Sequence, residues 1–321
     1  MEMLKNLTQG FGPSGREEEI RDIIKGYVKD YADEITDDAM GNLIVRKKGT
    51  GKKIMLAAHM DEIGVIVTFI DDNGFLRFSA VGGLNSKELL YSKVSFKNGV
   101  IGVIGTEKEN KDKIIPKMYI DIGAKNKEEA EKMVSIGDMA TFVGDFYKTG
   151  DAVISKALDN RVGCYVLIEA IKKAESDNDL YFVFTTQEEV GLRGAKTSAY
   201  AINPDYAVAV DVTDTGDTPN CEEMAVKMGA GVAVKVMDRS VLCDSTVRTN
   251  LIESAKKAGV PYQLEVMTDG GTDAGAISGT RSGVKTGGLS IPTRYIHSPS
   301  EMASVDDIEG SIKTLLEFIK M

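Results

Sequence analysis

Only two histidines occur in the 321 residues, and each stands among groups that are hard to explain as packing. One closes an apolar run in His59-Met60-Asp61-Glu62; the other lies in Tyr295-Ile296-His297-Ser298-Pro299. Gln187-Glu188-Glu189 closes a second apolar run, and Asp211 closes a third that begins at Tyr206. Histidine with carboxylates and no cysteine is the donor chemistry of a catalytic metal site, because such ligands leave positions for water and substrate. Two histidines and several acids suffice for two ions. Where two glutamates are adjacent, one can ligate while its neighbour stays free to take a proton from water, a division that Glu188 and Glu189 invite.

Simpler roles exist for each residue taken alone. A histidine at a strand end also serves as a hydrogen-bonded structural group, and strand-end acids are often solvated or cap the next helix. Asp159, in Ala157-Leu158-Asp159-Asn160-Arg161, reads from spacing as an N-cap. Gly270-Gly271-Thr272-Asp273-Ala274-Gly275 suggests a phosphate loop but lacks the Gly-Lys-Ser or Gly-Lys-Thr ending that binds phosphate and magnesium; a glycine turn before a short helix is the plainer reading. Ser298 and Ser300 beside His297 lack the G-x-S-x-G elbow of a serine hydrolase.

The elements that must carry these groups follow from periodicity. Ser14-Gly15-Arg16-Glu17 has the form of a capping box, and Ile20, Ile23, Ile24, Tyr27, Val28 and Tyr31 continue at helical spacing. A strand over 42–46 and a buried strand over 53–59 are expected to form a hairpin around Gly49 and Gly51. From about residue 63 to 151 the texture turns to short alternating segments, with strands expected at 65–70, 75–81, 93–96, 100–104, 118–122 and 139–143, a hairpin at Asp72-Asn73-Gly74 and one helix over 127–135. Beyond 152, strands at 180–185 and 206–210 alternate with helices at 159–173 and 245–258. That is α/β grammar. The expected architecture is one α/β domain built from residues 1–64 and 153–321, interrupted by a mostly β insert over 65–152. Open α/β sheets bind ligands outside the carboxyl ends of their strands, which would gather His59, Glu188, Glu189 and Asp211 at one crevice.

Composition narrows the function. The formal charge of −10, with no long basic block, argues against nucleic acid, and the cluster Arg46 to Lys53 reads as a solvated loop. No run approaches the roughly 18 apolar residues of a membrane span, and no signal peptide is evident. Three widely spaced cysteines without a C-x-x-C pair suit a reducing cytoplasm.

In order along the chain, His59-Met60-Asp61, Leu158-Asp159-Asn160-Arg161, Gln187-Glu188-Glu189-Val190-Gly191, Val210-Asp211-Val212 and Arg294-Tyr295-Ile296-His297-Ser298-Pro299 resemble the motifs of the dinuclear-metal aminopeptidases that assemble as tetrahedral dodecamers, a family including glutamyl and deblocking aminopeptidases. Phe11-Gly12-Pro13-Ser14-Gly15 and Gly270-Gly271-Thr272-Asp273-Ala274 extend the resemblance over nearly the whole chain.

The resemblance implies a catalytic domain with a mixed central sheet and an inserted β dimerisation domain. It implies that Asp159 bridges two divalent ions, with His59 and Asp211 completing one site and Glu189 and His297 the other. Glu188 corresponds to the general base and Asp61 to the acid supporting His59. A cis peptide after Asp159 and a substrate loop at 270–275 are implied as well. Zinc is the default ion and cobalt the rival. The expected enzyme is a hydrolase removing N-terminal residues from short peptides, in a homo-oligomer built from dimers. A deacylase of N-acyl amino acids using the same metals, a glycosidase using a carboxylate pair and a scaffold with structural metals are the competing readings.

Overall fold

The computed structural model describes residues 1–221 and 223–321. Two helices open the chain, α1 (Glu2–Gln9) and α2 (Glu18–Val28). In α2, Ile20, Ile24 and Val28 recur at a spacing of four and are buried as one stripe. Three strands follow: β1 (Glu34–Asp37), β2 (Leu43–Lys47) and β3 (Lys53–His59).

The chain then leaves for a closed barrel of six strands. These are β4 (Gly64–Ile70), β5 (Leu76–Val81), β6 (Lys93–Phe96), β7 (Ile101–Thr106), β8 (Met118–Asp121) and β9 (Met139–Phe142). Barrel closure leaves no unpaired edge, and Val65, Val67, Leu76, Val94, Ile104 and Ile120 fill the interior. The expected hairpin at 72–74 joins β4 to β5, with Gly74 at φ +87°. Helix α3 (Lys127–Glu131) is capped by Asn126, whose side chain accepts from the Glu129 N–H, and stops earlier than its expected end at 135.

Strands β10 (Tyr147–Thr149) and β11 (Ala152–Ser155) return to the main sheet. The expected edge of the insert at 152 therefore falls within main-sheet strands. Next come α4 (Leu158–Lys173), β12 (Asp179–Thr185), α5 (Arg193–Ile202), β13 (Tyr206–Thr213) and β14 (Val232–Met237). The chain ends with α6 (Ser245–Lys257), β15 (Tyr262–Val266), α7 (Asp273–Ser278), β16 (Lys285–Arg294), β17 (Glu301–Ser304) and α8 (Val305–Phe318).

The main sheet has eleven strands, in the order β1-β2-β12-β3-β13-β16-β17-β11-β10, with β14 and β15 branching from β16. It is mixed: β12, β3, β13 and β16 run parallel, β2 and β17 pair antiparallel with their neighbours, and β14 pairs antiparallel with β16 but parallel with β15. Both faces are covered. Along β3 the side chains alternate, Ile54, Leu56 and Ala58 entering the larger core and Met55 and Ala57 the smaller one against α5 and α7.

Two local expectations are corrected. Strands β2 and β3 form no hairpin, because β12 lies between them. The glycines of the 47–53 loop serve a close approach instead: a Cβ on Gly49 would sit 2.2 Å from the Asn178 carbonyl oxygen. The capping box is also absent. Helix α2 starts without a side-chain cap, and Ser14 and Glu17 are turned to other partners.

Candidate metal centre

Four parallel strands bring the chemistry to one end of the sheet. His59 is the last residue of β3 and pairs in register with Thr185, the last of β12, beyond which the chain turns through Gln187, Glu188 and Glu189. Asp211 lies near the end of β13, and His297 follows β16. The expected crevice outside the carboxyl ends is thus present. A cavity of about 370 Å³ is lined by His59, Asp159, Glu188, Glu189, Asp211 and His297 together with Gly270, Gly271 and Thr272. Of the seven residues singled out in the sequence, only Asp61, which is fully buried, is not at its surface.

Asp159 sits at the centre. Its Oδ1 is 3.0 Å from His59 Nε2, and its Oδ2 is 3.3 Å from His297 Nε2. His59 Nε2 is also 3.7 Å from Asp211 Oδ1 and 3.9 Å from Glu188 Oε2, and His297 Nε2 is 3.3 Å from Glu189 Oε2. Candidate ligand atoms of His59, Asp159 and Glu189 lie within 4.8 Å of one another, as do those of His59, Glu188 and Asp211. His59 Nδ1 is 3.0 Å from the Asp61 carbonyl oxygen; a proton on Nδ1 leaves the Nε2 lone pair facing the carboxylates.

Local backbone explains how Asp159 is freed for this position. It does not cap α4. The helix is interrupted where Asp159 and Asn160 take non-helical conformations, and Asn160 caps the part that follows, its Oδ1 accepting from the Gly163 N–H at 3.0 Å while its Nδ2 donates to the Val210 carbonyl at 2.8 Å. The peptide between Asp159 and Asn160 is cis, as the resemblance implies. Gly163 is required at the third position of this cap, since a Cβ there would meet Asn160 Oδ1 at 2.1 Å.

Two buried carboxylates hold the Gln187-Glu188-Glu189 segment. Asp61 Oδ1 accepts from the Glu188 N–H at 3.0 Å and its Oδ2 from the Glu189 N–H at 3.2 Å and from Ser14 Oγ at 2.6 Å. Glu17 Oε1 accepts from the N–H groups of Gly15 at 2.6 Å and Gln187 at 3.1 Å. The pattern that reads as a capping box is therefore a bracket for the glutamate loop. Its sequence signal is indistinguishable from a helix start, because Glu17 accepts backbone N–H groups in either role, while Ser14 here donates its hydroxyl to Asp61.

Glu17 carries a measurable consequence. Burial, helped by the nearby Asp61 charge, pushes its carboxyl from 4.5 up to about 7 against its hydrogen bonds. The folded-state value lies above the unfolded one, so the unfolded chain sheds this proton first as pH rises. The metal-free protein is therefore expected to lose stability between pH 4.5 and about 7 on this account. Glu17→Gln keeps an oxygen for both donors and does not ionise. Its stability relative to wild type is expected to grow by about 3 kcal/mol across that interval, read from denaturant midpoints of the chelated proteins. Parallel pH profiles would refute it.

Electrostatics favour a cation. Burial raises the Glu188, Glu189 and Asp211 carboxyls, most strongly Glu188, more than the histidines lower them. Burial works to lower the two imidazoles, but the surrounding carboxylates outweigh it and hold them well above their ordinary value. No Lys or Arg side chain is among the described residues lining the cavity. Crowded carboxylates and imidazole nitrogens turned to one point are a donor set that fits divalent ions.

The M42 glutamyl aminopeptidase family matches residues 41–314. This chain belongs to that family. It is a metal-dependent aminopeptidase, as its motifs imply. A protein of Acetivibrio thermocellus carrying a provisional aminopeptidase name is 57% identical over 99% of this chain and 98% of its own length. The structure of an aminopeptidase from Desulfurococcus kamchatkensis superposes with a TM-score of 0.96 at 40% identity, covering 99% of this chain and 94% of its own. The TET1 peptidase of Pyrococcus horikoshii, which can assemble into a tetrahedron or a large octahedral shell, gives 0.89 at 37% identity, covering 99% and 98%. The mixed sheet with its separate six-stranded barrel is thus the fold of an M42 aminopeptidase. No helix among its described residues is long and apolar enough to cross a membrane.

Proposed function

We propose that this M42 aminopeptidase holds two divalent ions, His59 and Asp211 on one side and Glu189 and His297 on the other, with Asp159 between them. One observation carries this reading: the two carboxylate oxygens of Asp159 face two different imidazoles, at 3.0 and 3.3 Å. Zinc is the default occupant and cobalt the rival, since His and carboxylate donors accept either. The ions would supply Lewis acidity to the scissile carbonyl and to water.

The remaining chemistry falls to side chains. Glu188, at the cavity wall and bonded through its N–H to Asp61, takes the proton from water and returns it to the leaving amine. Asp61 holds both the Glu188 and Glu189 backbones and stands 3.4 Å from His59 Nδ1, so one carboxylate orients the base and two ligands. The carboxylate-rich, Lys- and Arg-free lining favours a substrate that brings a free α-ammonium group.

Short peptides are the substrates that suit a cavity of about 370 Å³. The barrel, with Tyr91, Ile101, Ile114 and Ile136 exposed on it, is the unit through which subunits pair. Dimers joined in this way build a dodecamer, in keeping with the tetrahedron that the TET1 relative can form, and such a shell would admit peptides and exclude folded proteins. Three free cysteines suit a cytoplasmic setting.

Chelation is expected to abolish hydrolysis of free aminoacyl substrates and metal add-back to restore it, with two ions bound per chain and N-acetylated substrates inert throughout. Cleavage of only the acylated compounds would make the enzyme a deacylase, and cleavage that survives chelation would remove the metal mechanism.

A further inference from the structure

We infer that Glu301 is a positioning residue that ties the Asp159 and His297 backbones together, so that the ion held on the His297 side depends on it; this rests on the two-ion reading above. Glu301 opens β17, is 2% exposed and pairs in register with Ser155 of β11. Its Oε2 accepts from the Asp159 N–H at 2.8 Å and its Oε1 from the His297 N–H at 2.9 Å. One carboxylate thus receives a donor from each of two residues that face each other across the cavity.

The two donors reach it from different directions along the chain. Asp159 follows β11, whereas His297 lies in the turn between β16 and β17. That turn places both Tyr295 and His297 at φ +62°, a left-handed conformation that side-chain-bearing residues adopt rarely and that needs outside support. Glu301 supplies it at the His297 N–H.

Charge gives the second line of support. Glu301 makes no salt bridge within 4 Å among the described residues, although it is buried beside the Asp159 carboxylate. A buried carboxylate is costly, and two amide donors with the nearby His297 imidazole and Lys156 ammonium offset only part of that cost. Divalent ions held by Asp159 and His297 would offset the rest, and the same charge would strengthen their binding. Glu301 stands to the Asp159 and His297 backbones as Asp61 stands to those of Glu188 and Glu189.

Full-length wild type and Glu301→Gln, both stripped by chelator, would be titrated with Co2+ alone. The two dissociation constants would be read by equilibrium dialysis, the ligand field by visible absorption and the fold by thermal melting of the metal-free proteins. The Gln variant keeps the shape but turns an NH2 towards one of the N–H donors and removes the charge. One of the two ions is expected to bind about 10- to 100-fold more weakly, with an altered Co2+ spectrum, while the other changes less and the metal-free midpoint stays near wild type. Glu301→Asp keeps the charge and both acceptor oxygens on a stem one methylene shorter, which reaches the two donors less well; about ten-fold or smaller weakening of the same ion is expected, and this variant serves if the Gln protein does not fold. Unchanged affinities and spectrum in the folded variants would overturn the inference. So would equal weakening of both ions together with a lower metal-free midpoint, which marks a merely structural role. A wild-type chain that binds fewer than two Co2+ ions would instead overturn the two-ion reading beneath it.

Discussion

Glu188→Gln is expected to lower kcat by about 10²- to 10⁴-fold, the usual contribution of a positioned general base, while the chain still binds two ions and KM changes little. Two features of the site set this expectation. First, Glu188 is farther from His59 Nε2, at 3.9 Å, than Asp159 at 3.0 Å or Asp211 at 3.7 Å. Second, in the metal-free protein burial holds its carboxyl well above the ordinary glutamate value, with His59 opposing and Asp211, Asp273 and Glu189 adding to the rise. The two ions proposed beside it would draw that value back down and keep the carboxylate ionised, leaving a base poised for proton transfer near neutral pH. The amide cannot take the proton, but its N–H anchor to Asp61 is unaffected because that bond is made by the backbone. Metal analysis separates this role from the alternative allowed by the grouping of Glu188 with His59 and Asp211. If the variant lost an ion along with its activity, Glu188 would be a ligand and the base would lie elsewhere.

Most of this site was legible because its residues end strands. Apolar runs stopping at His59 and Asp211 need only period and composition to be seen, and the strand-end rule then gathers them. Asp159 was legible only through resemblance. From spacing it is an N-cap, and the residue that takes the cap, Asn160, is its equally suitable neighbour. The backbone acceptors were hidden for a related reason: Asp61, Glu17 and Glu301 each receive an N–H group from a segment more than a hundred residues away, which leaves no local pattern, and the His297 N–H four residues from Glu301 does not by itself reveal the second donor.

Fold elements were missed on similar grounds. Strand β16 contains Gly287, Gly288 and Pro292, which read as loop residues. In the structure a Cβ on Gly287 would meet Val247 Cγ1 at 2.6 Å and one on Gly288 would meet Lys235 Cβ at 2.9 Å, so these glycines let α6 and β14 approach the strand. The false hairpin at 49–51 has the same origin. Glycine marks close approach as well as turns, and here the location of β12 between β2 and β3 decides which.

Arg161→Met is expected to destabilise the metal-free protein by about 3–5 kcal/mol, the cost of breaking a buried ion pair from one side. Arg161 is fully buried and gathers segments that are distant in sequence. Its Nε donates to the Met60 carbonyl at 2.6 Å, its Nη1 to those of Leu7 at 2.6 Å and Gly10 at 3.3 Å, and its Nη2 to the Gly12 carbonyl and Glu62 Oε1, both at 3.2 Å. Methionine fills similar volume but offers no donor, so these buried carbonyls lose partners and Glu62 keeps only Lys156, at 2.6 Å. The variant measures a link between fold and site, since Met60 is the residue between His59 and Asp61 and Gly12 precedes the Ser14 that donates to Asp61. Denaturant unfolding of the chelated proteins gives the loss, and adding Glu62→Met should not return it, because that change strands the buried Lys156 ammonium that Glu62 pairs at 2.6 Å. A loss below about 1 kcal/mol, within the range of ordinary surface substitutions, would mean that water replaces the guanidinium and that Arg161 does not hold these segments together.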